Sequence, residues 1–364
     1  MGERTRPLED MVINETSRGF WKEKRVLLTG HTGFKGCWLL LWLETLGAEI
    51  FGCSLPPAEP SLFNAAIKDD TKYGIFADIR DAERLTREMA RFAPEIVFHL
   101  AAQPLVRESY REPGKTYETN VMGTVNLLEA VRQTGTVKSL VVITTDKCYR
   151  DMGWEWGYRE TDSLGGADPY SSSKACVELL CDAWRRSFFK DGDTLLATAR
   201  AGNVIGGGDW APDRIVPDAI RAFQSGGTLE IRSPNAVRPW QHVLEPLYGY
   251  LTLAERLYNG DRSCEAAWNF GPSSDESRNV RSLVERLSAL WGEGAKYTVK
   301  PDNSLHESHS LRLDSSRAIQ NLAWRPRLGF EEALSMTVGW YRRVFNGEDS
   351  LSLTQNQISK YMES

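Results

Sequence analysis

The sequence predicts an α/β protein with a doubly wound parallel sheet and a smaller C-terminal lobe. Three observations predict this fold class. Through the first 200 residues, short β-branched apolar runs alternate with stretches of helical length. The connections between these runs are long enough for the right-handed crossovers that parallel strands need. After Arg200 the alternation gives way to glycine-, proline- and tryptophan-rich segments, which are typical of loops around a ligand.

Each element has its own local pattern of apolar residues. We expect about six parallel strands in the first half, at residues 25–29, 49–53, 73–77, 96–100, 140–144 and 195–199. The helices predicted between them lie at residues 38–46, 81–92, 116–134 and 171–189. In the second half we expect helices at residues 215–224, 244–258 and 280–290. A strand at residues 267–270 is assigned to the smaller lobe.

The composition is that of an ordinary globular chain and argues against several classes of function. Hydrophobic residues make up 41% and charged residues 26% of the 364 residues. The net charge of −5 argues against a nucleic-acid-binding surface, which needs a basic excess. We find no run of about 18 apolar residues that would span a membrane and no secretory signal. The six cysteines and five histidines lack metal-ligand spacing, so we expect free thiols, a cytoplasmic protein and no metal site.

Residues 29–36 (TGHTGFKG), termed the glycine loop, follow the first predicted strand and open the first predicted helix. This context favours dinucleotide binding, because glycines allow a tight turn and a close backbone approach to a pyrophosphate. The helix N-terminus adds free N–H groups and a positive dipole. The spacing is GxxGxxG rather than GxGxxG, and glycine-rich loops also connect strands to helices without binding anything. The predicted cofactor contacts here are Gly30, Thr32, Gly33, Phe34, Lys35 and Gly36.

The end of the second predicted strand bears on which dinucleotide binds. Residues 52–55 (GCSL) contain neither the acid that usually holds the ribose hydroxyls of NAD nor an arginine suited to the 2′-phosphate of NADP. The residues themselves therefore favour NAD only weakly. Asp78, followed by Ile79, is a candidate contact for the adenine end and equally a candidate helix N-cap.

The glycine loop and the change of pattern after Arg200 also suggest a domain organisation. We expect residues 1–200 to form the dinucleotide-binding domain, behind a flexible leader at residues 1–19. Residues 201–364 are expected to form mainly a substrate-binding lobe. The boundary is expected to be interleaved, because the chain is able to cross between the lobes more than once.

Tyr170 and Lys174 are one helical turn apart, so both side chains project from the same face of a predicted helix. A lysine cation near a phenol favours the phenolate, which is expected to lower the pKa of Tyr170 towards neutrality. Tyr170 is then a candidate proton acceptor from a sugar hydroxyl during hydride transfer. A bare YxxxK pattern is usually a solvated helix face. Here, however, it follows a polar cluster at residues 144–149 (TTDKCY), at the carboxyl end of a strand, where ligands bind in such sheets.

The glycine loop, the polar cluster and the YxxxK helix together resemble the extended short-chain dehydrogenase/reductases that act on nucleotide sugars. Residues 100–103 (LAAQ), 119–124 (TNVMGT) and 238–243 (RPWQHV) extend the resemblance over nearly the whole chain. An acid in the position of Asp146 marks the 4,6-dehydratases of this group. Among these, the chain resembles the CDP-glucose 4,6-dehydratases at residues 31–36, 101–107, 145–149, 200–210 and 238–246.

This resemblance implies a Rossmann fold, an NAD cofactor and the conversion of CDP-D-glucose to CDP-4-keto-6-deoxy-D-glucose, the first step towards dideoxyhexoses of surface polysaccharides. It implies that Tyr170 takes the O4 proton while hydride passes from C4 to NAD⁺. Water then leaves across C5 and C6, and hydride returns to C6. Thr145 would hydrogen-bond O4, Lys174 would hold the cofactor ribose and tune Tyr170, and Asp146 would protonate the departing hydroxyl.

The resemblance also implies contacts at both ends of the site and an oligomeric state. Further implied cofactor contacts are Ala101, Ala102, Gln103 and Asn120. The implied substrate contacts are Gln103, Asn203, Arg214, Arg238, Asn269 and His306. Trp154 and Trp156 either line the sugar pocket or simply pack. The helices at residues 116–134 and 171–189 imply a homodimer through a four-helix bundle, with a homotetramer as the alternative, unless their apolar positions only face the sheet.

Lys147 occupies a position where the dTDP-glucose dehydratases carry a glutamate, which is an obvious base for the C5 proton. A lysine is protonated at neutral pH unless it is desolvated, and a neighbouring aspartate favours the ammonium form. Two roles are therefore open for Lys147: a neutral base, or a cation that stabilises the developing enolate and tunes Asp146. We slightly prefer the second.

Three other functions compete with this one. A nucleotide-sugar 4-epimerase is disfavoured by Asp146 and Lys147. A dehydratase for another nucleotide is not separated from the CDP-glucose enzyme by the residues alone, because the choice of base rests on the resemblance. A non-catalytic sensor of dinucleotide ratio is disfavoured because the chain keeps both Tyr170 and Lys174.

Overall fold

The computed structural model describes residues 19–300 and 310–364. This part of the chain forms a seven-stranded parallel sheet and three two-stranded sheets. The strands are β1 (Arg25–Thr29), β2 (Glu49–Ser54), β3 (Gly74–Phe76), β4 (Ile96–His99), β5 (Ser139–Ile143), β6 (Leu195–Ala201), β7 (Val204–Ile205), β8 (Thr228–Ile231), β9 (Val237–Arg238), β10 (Gln241–His242), β11 (Ala267–Phe270), β12 (Arg278–Asn279) and β13 (Lys296–Val299). The main sheet has the order β11–β6–β5–β4–β1–β2–β3.

Helices cover both faces of this sheet and build the second lobe. They are α1 (Phe34–Thr45), α2 (Leu62–Ala66), α3 (Ala82–Phe92), α4 (Val106–Arg111), α5 (Pro113–Tyr117), α6 (Gly123–Thr134), α7 (Pro169–Ser187), α8 (Ile215–Gln224), α9 (Leu244–Tyr258), α10 (Val280–Trp291), α11 (Ser316–Asn321), α12 (Phe330–Phe345) and α13 (Ser350–Glu363). A π-helical turn at Glu118–Met122 joins α5 to α6. The parallel sheet with helices on both faces confirms the predicted fold class.

The six strands predicted in the first half are all present, with ends that agree to within two residues. The assignment of residues 267–270 to the smaller lobe is wrong, because β11 pairs in parallel with β6 as the seventh strand of the main sheet. The reason is burial: Trp268 and Phe270 are as enclosed as the central strands. A four-residue run does not reveal which sheet it joins.

The central strands read as continuous apolar runs because helices bury both of their faces. Val26, Leu27 and Leu28 of β1 are completely buried. Helix α1 is apolar all round for a related reason. It lies between the main sheet and the C-terminal helix α13, where Trp42 packs edge-on against Tyr361.

The strand order reverses between β1 and β4. In open parallel sheets, ligands bind in the crevice outside the carboxyl ends of the strands at such a switch point. The glycine loop after β1 and the polar cluster after β5 therefore lie at the same edge of the sheet. In the described part of the chain, no helix is long and apolar enough to cross a membrane.

Glu245 fastens the C-terminal segment to the rest of the fold. Its completely buried carboxylate accepts hydrogen bonds from the backbone N–H groups of Arg327 (3.0 Å) and Leu328 (2.7 Å) and from Tyr361 Oη (3.0 Å). We expect Glu245→Ala to lower the free energy of unfolding by about 3 kcal/mol or more, because it leaves several buried donors without a partner. Chemical denaturation measures this change.

The matched control is Glu332→Ala, which removes an exposed glutamate from α12. It is expected to change the free energy of unfolding by less than about 0.5 kcal/mol. Equal stability of the two variants would contradict the fastening role of Glu245.

Candidate active site

A cavity of about 390 Å³ opens at the carboxyl ends of β4 and β5, between the main sheet and the second lobe. Residues from both halves of the chain line it. The predicted site residues among them are Phe34, Lys35, Thr145, Asp146, Lys147, Tyr170, Asn203, Arg214 and Arg238. One cavity thus brings together the end of the glycine loop, the polar cluster, the YxxxK helix and the cations of the second half.

The polar cluster is held in shape by its own hydrogen bonds. Thr145 caps a tight turn at Asp146–Cys148: its Oγ1 accepts a hydrogen bond from Lys147 N (3.3 Å) and donates to Asp146 Oδ1 (2.9 Å). Asp146 Oδ2 is buried and has no hydrogen-bond partner within the described residues. A Cβ at Gly202 would lie 2.0 Å from that oxygen, so glycine is required there for the carboxylate to keep its place.

Helix α7 presents Tyr170 and Lys174 to this turn. Asp168 caps the helix by accepting a hydrogen bond from Ser171 N (2.9 Å), and Pro169 occupies the first helical position. Tyr170 and Lys174 are both buried. Lys174 Nζ donates to the carbonyl oxygen of Ile143, at the end of β5 (3.1 Å).

The expectation that Lys174 lowers the pKa of Tyr170 is wrong for the chain in this form. Burial raises the pKa of Tyr170 to about 12, and Asp146 adds to the rise, while Thr145 and Arg214 oppose it. The physical reason is that the phenol is desolvated beside a carboxylate, whereas the Lys174 ammonium is directed at a main-chain carbonyl. Spacing along a helix does not reveal either effect.

Lys35, predicted as a cofactor contact of the glycine loop, also brings an amine to the cavity, which its position in the sequence does not indicate. Its side chain lines the cavity, with Nζ 5.9 Å from the centre of the Tyr250 ring. Burial, together with Lys174 and Arg214, lowers the pKa of Lys35 to about 7, against the opposing charge of Asp146. The Lys35 residue is half-buried, because its side chain faces the space of the cavity.

The glycine loop has the geometry of an anion cradle. Gly30 has a φ of +75°, and a Cβ there would lie 2.7 Å from Ala101 N. A Cβ at Gly36 would lie 2.0 Å from Gly30 O, so the loop and α1 pack closer than any side chain allows. Gly33 caps α1 without a side-chain hydrogen bond, which leaves donors at the helix N-terminus for a ligand. These residues fit a dinucleotide pyrophosphate.

Other predicted cofactor contacts are engaged within the protein. Thr32 Oγ1 lies 2.7 Å from Ser54 Oγ and donates to Leu55 O (3.0 Å). Asn120 Oδ1 accepts from Gln103 N (2.8 Å), and its Nδ2 donates to Ser173 Oγ of α7 (2.9 Å). Asn120 therefore joins the loop after β4 to α7.

Asp78 is not the helix N-cap that the sequence left open, because Asp81 caps α3 by accepting from Arg84 N (3.0 Å). Asp78 instead accepts from the backbone N–H of Arg80 (2.9 Å) and pairs with its guanidinium. Arg80 also reaches Glu118. Asp78 lies in a shallow depression beyond Ile79, apart from the main cavity.

Gln103, a predicted substrate contact, is not among the cavity-lining residues, and its amide bonds to the backbone of Leu105 and to Thr116. The other predicted substrate contacts fall into three groups. Arg214 pairs with Asp209 (3.0 Å) and lines the cavity. Arg238 and Asn203 also line the cavity. Asn269 is instead completely buried and is not among the residues that line the cavity. Its amide oxygen accepts from Tyr149 Oη, and its amide nitrogen donates to a main-chain carbonyl, so its placement does not support a substrate contact. The third, His306, lies outside the described residues.

Two further cations of the cavity wall carried no signal in the sequence. Arg107 Nε lies 3.7 Å from Asp213 Oδ1, and Arg232 Nη1 lies 3.2 Å from the same oxygen. Trp154 and Trp156 stack on each other with ring centres 5.3 Å apart, and Trp156 is 61% exposed. Neither tryptophan lines the cavity, so packing is the better of the two interpretations left open.

The comparisons with known proteins agree with this geometry. The model of the NAD dependent epimerase/dehydratase family matches residues 26–271. The CDP-glucose 4,6-dehydratase of Salmonella typhimurium is 49% identical over 351 residues, which cover 95% of this chain and 98% of the relative. The dTDP-glucose 4,6-dehydratase of Xanthomonas campestris is 27% identical over 340 residues, covering 86% and 92% of the two chains.

The solved structures include dehydratases and epimerases. DesIV, a dTDP-glucose 4,6-dehydratase from Streptomyces venezuelae solved with NAD bound, superposes with a TM-score of 0.77 at 25% identity, over 90% of this chain and 99% of that one. A UDP-glucose 4-epimerase from Thermotoga maritima superposes with a TM-score of 0.76 at 24% identity, over 88% and 99%. The second likeness shows the fold alone.

Proposed function

This chain belongs to the NAD-dependent epimerase/dehydratase family, and we propose that it is a CDP-D-glucose 4,6-dehydratase, a hydro-lyase that forms CDP-4-keto-6-deoxy-D-glucose. The observation that carries the proposal is the placement of Asp146 and Lys147 beside Tyr170 in one cavity. A 4-epimerase needs no acid for a leaving C6 hydroxyl, whereas a dehydratase does. The 49% identity to the Salmonella typhimurium enzyme supports CDP-glucose as the substrate.

The glycine loop supports NAD as the cofactor, with the pyrophosphate at the N-terminus of α1. Asp78 and Ile79 would face the adenine end, and Tyr170 and Lys174 would face the nicotinamide ribose. Asn120 would act by holding Gln103 and the neighbouring Ala101 and Ala102 in place. When bound, NAD⁺ supplies the acceptor for the C4 hydride and returns that hydride at C6.

Side chains of the protein then accept and donate the protons that move during the reaction of the sugar. Tyr170 accepts the O4 proton, with Thr145 hydrogen-bonded to O4. The Arg214 cation favours the phenolate against the burial that raises its pKa. The C4 ketone acidifies the C5 proton, which passes to solvent, and the enolate that forms expels the C6 hydroxyl; a solvent proton returns to C5 when the hydride reaches C6. Asp146 gives its proton to that hydroxyl, which leaves as water.

Lys147 lines the cavity next to Asp146, where its ammonium lacks a hydrogen-bond or ion-pair partner among residues 19–300 and 310–364. A cation at this position stabilises negative charge on the enolate, and we prefer this role to that of a neutral base. Arg214, Arg238 and Asn203 supply contacts for the nucleotide diphosphate, since arginine donates to phosphate oxygens in pairs.

We expect Lys147→Met to slow exchange of the C5 proton with solvent by about a hundredfold, because both candidate roles need the amine. Mass spectrometry of recovered sugar in deuterated buffer measures the exchange. Lys147→Arg separates the roles: it keeps the charge but not the base, so exchange within about tenfold of wild type supports enolate stabilisation. Exchange at the wild-type rate in Lys147→Met would exclude both roles.

The chain is tested directly with four nucleotide-glucoses, carrying cytosine, thymine, uracil or guanine, each with NAD⁺. The proposal predicts a 4-keto product, seen as its chromophore in alkali, with CDP-glucose as the preferred substrate. Preference for another nucleotide-glucose would show that this compound, and not CDP-glucose, is the substrate. Formation of a 4-epimer without the chromophore would replace the dehydratase by an epimerase.

Further aspects of the proposal concern assembly and cellular context. Five large apolar side chains on or beside α4 to α7 are exposed, namely Tyr110, Tyr117, Met122, Leu179 and Phe188. They support a homodimer through α5–α6 and α7, with a tetramer as the alternative, which sedimentation velocity distinguishes. The six free cysteines support a reducing cytoplasm. The product suits the synthesis of dideoxyhexoses for surface polysaccharides.

A further inference from the structure

A buried ion pair joins Glu178 of α7 to Arg200 of β6. Glu178 follows Lys174 by one turn of α7 and Tyr170 by two, so the three side chains share a face. Its carboxylate pairs with Arg200 of β6, with Nη2 2.8 Å from Oε2, and both side chains are only 3% exposed. The same carboxylate accepts hydrogen bonds from the hydroxyls of Thr144 and of Thr198 (2.7 Å).

The ion pair contacts the residues on both sides of the Asp146–Cys148 turn, termed the catalytic turn. Thr144 immediately precedes Thr145, so its bond to Glu178 anchors the start of the turn to α7. Arg200 Nη1 donates to Tyr149 Oη (2.7 Å), and the guanidinium lies 4.9 Å from the centre of that ring. Tyr149 follows the turn directly. The ion pair therefore sets where the Asp146 turn stands relative to Tyr170.

Glu178 also supplies negative charge to Lys174. Burial lowers the pKa of Lys174 to about 8, and the carboxylate of Glu178 is the strongest influence against that fall. Burial tends to raise the pKa of Glu178 itself, but Arg200 and the two threonine hydroxyls outweigh it and lower that pKa. Glu178 is therefore an anion at neutral pH.

The other titratable groups around Lys174 do not replace this charge. They are Cys181 on α7, Cys148 in the catalytic turn, His99 on β4 and Lys35 in the glycine loop. Burial raises the pKa of both thiols and lowers that of His99 to about 3, so these three groups are neutral at pH 7. Lys35 is neutral or positive. Of the groups named, Glu178 is the anion.

We propose that Glu178, paired with Arg200, is a positioning residue of the active site that keeps Lys174 as an ammonium one turn of α7 from Tyr170 and fixes the Asp146 turn against α7. This inference rests on the proposed dehydratase function. A buried ion pair contributes little net stability, because desolvation offsets the attraction between the charges. Positioning and charge at the catalytic pair are what the burial of Glu178 provides.

The test is Glu178→Gln, which keeps the shape and removes the charge. We expect kcat for 4-keto formation to fall by about tenfold or more, and the alkaline limb of its pH profile to move down by about one unit. The sign follows from Lys174: activity needs its ammonium and is lost as the pH rises through its pKa, which is lower without Glu178. Thr198→Val is the matched control, since it removes one hydrogen bond to the same carboxylate and no charge, and its limb is expected to stay in place.

A second variant and a second measurement keep the result clear. Glu178→Asp keeps the charge and is expected to keep the wild-type limb even where kcat falls. An unmoved limb in Glu178→Gln, or a full shift in Glu178→Asp, overturns the proposal. Titration of Lys174 by NMR of 13Cε-lysine-labelled protein, assigned by loss of its signal in Lys174→Met, gives the same comparison without substrate. This titration tests the effect of Glu178 on Lys174 even if the protein turns over no nucleotide-glucose. A lack of turnover would contradict the proposed function and not the role of Glu178.

Discussion

Asp146→Asn is expected to lower kcat for the 4-keto-6-deoxy product by about a thousandfold, within the range of a lost general acid. The amide fills the space beside Gly202 without steric change but has no proton to give to the departing C6 hydroxyl. C4 oxidation does not need that proton. Exchange of the C5 proton with solvent should therefore persist while water elimination stalls. Product is measured by the alkaline chromophore and exchange by mass spectrometry in deuterated buffer.

The control for this variant is Asp182→Asn, which alters an aspartate at the exposed side of α7 that pairs with Arg185 and Arg186. Its activity is expected to match wild type. A matching loss of product and of C5 exchange in Asp146→Asn would place Asp146 before elimination and exclude it as the leaving-group acid.

Tyr170→Phe is expected to lower kcat by about a thousandfold or more, with the KM for CDP-glucose changed by only a small factor. The phenol alone is removed, so binding contacts along the nucleotide persist while the O4 proton has no acceptor. Since C4 oxidation comes first, C5 exchange should be lost together with the product. This joint loss separates Tyr170→Phe from Asp146→Asn in the same two assays.

Tyr250→Phe is the matched control for Tyr170→Phe, because it also removes one buried phenol oxygen. Tyr250 Oη is buried without a hydrogen-bond partner in the part of the chain that the structure describes. Removing it costs no hydrogen bond, so activity within about twofold of wild type and unchanged or higher stability are expected. Equal losses of activity in Tyr170→Phe and Tyr250→Phe would show that the effect is one of packing rather than of proton transfer.

The division between local and tertiary information is visible at the third strand and the helix after it. The sequence left Asp78 open as an N-cap, and the path of the backbone from β3 into α3 makes Asp81 the cap. The placement of β11 in the main sheet was likewise decided by its pairing with β6, about 70 residues earlier.

The electrostatics of the site show the same division. The side chains that set the protonation of Tyr170 and Lys35 come from elements far apart in the chain, and the burial that dominates at Tyr170, Lys35 and Lys174 is a property of the assembled fold. Arg107 and Arg232 both form ion pairs with Asp213. These pairs join distant segments of the chain, so no local spacing in the sequence predicts them.

The sequence by itself determined the fold class, the positions of the six leading strands, the glycine loop and the shared helix face of Tyr170 and Lys174. It did so because each of these depends on periodicity and spacing within a few residues. Only the tertiary structure decided that the Asn269 amide is buried and hydrogen-bonded within the protein and that the Lys35 side chain lines the cavity. It also brought Glu178 and Arg200 together as a buried ion pair. Desolvation, ion pairing and close approach are set by residues that meet only when the chain is folded.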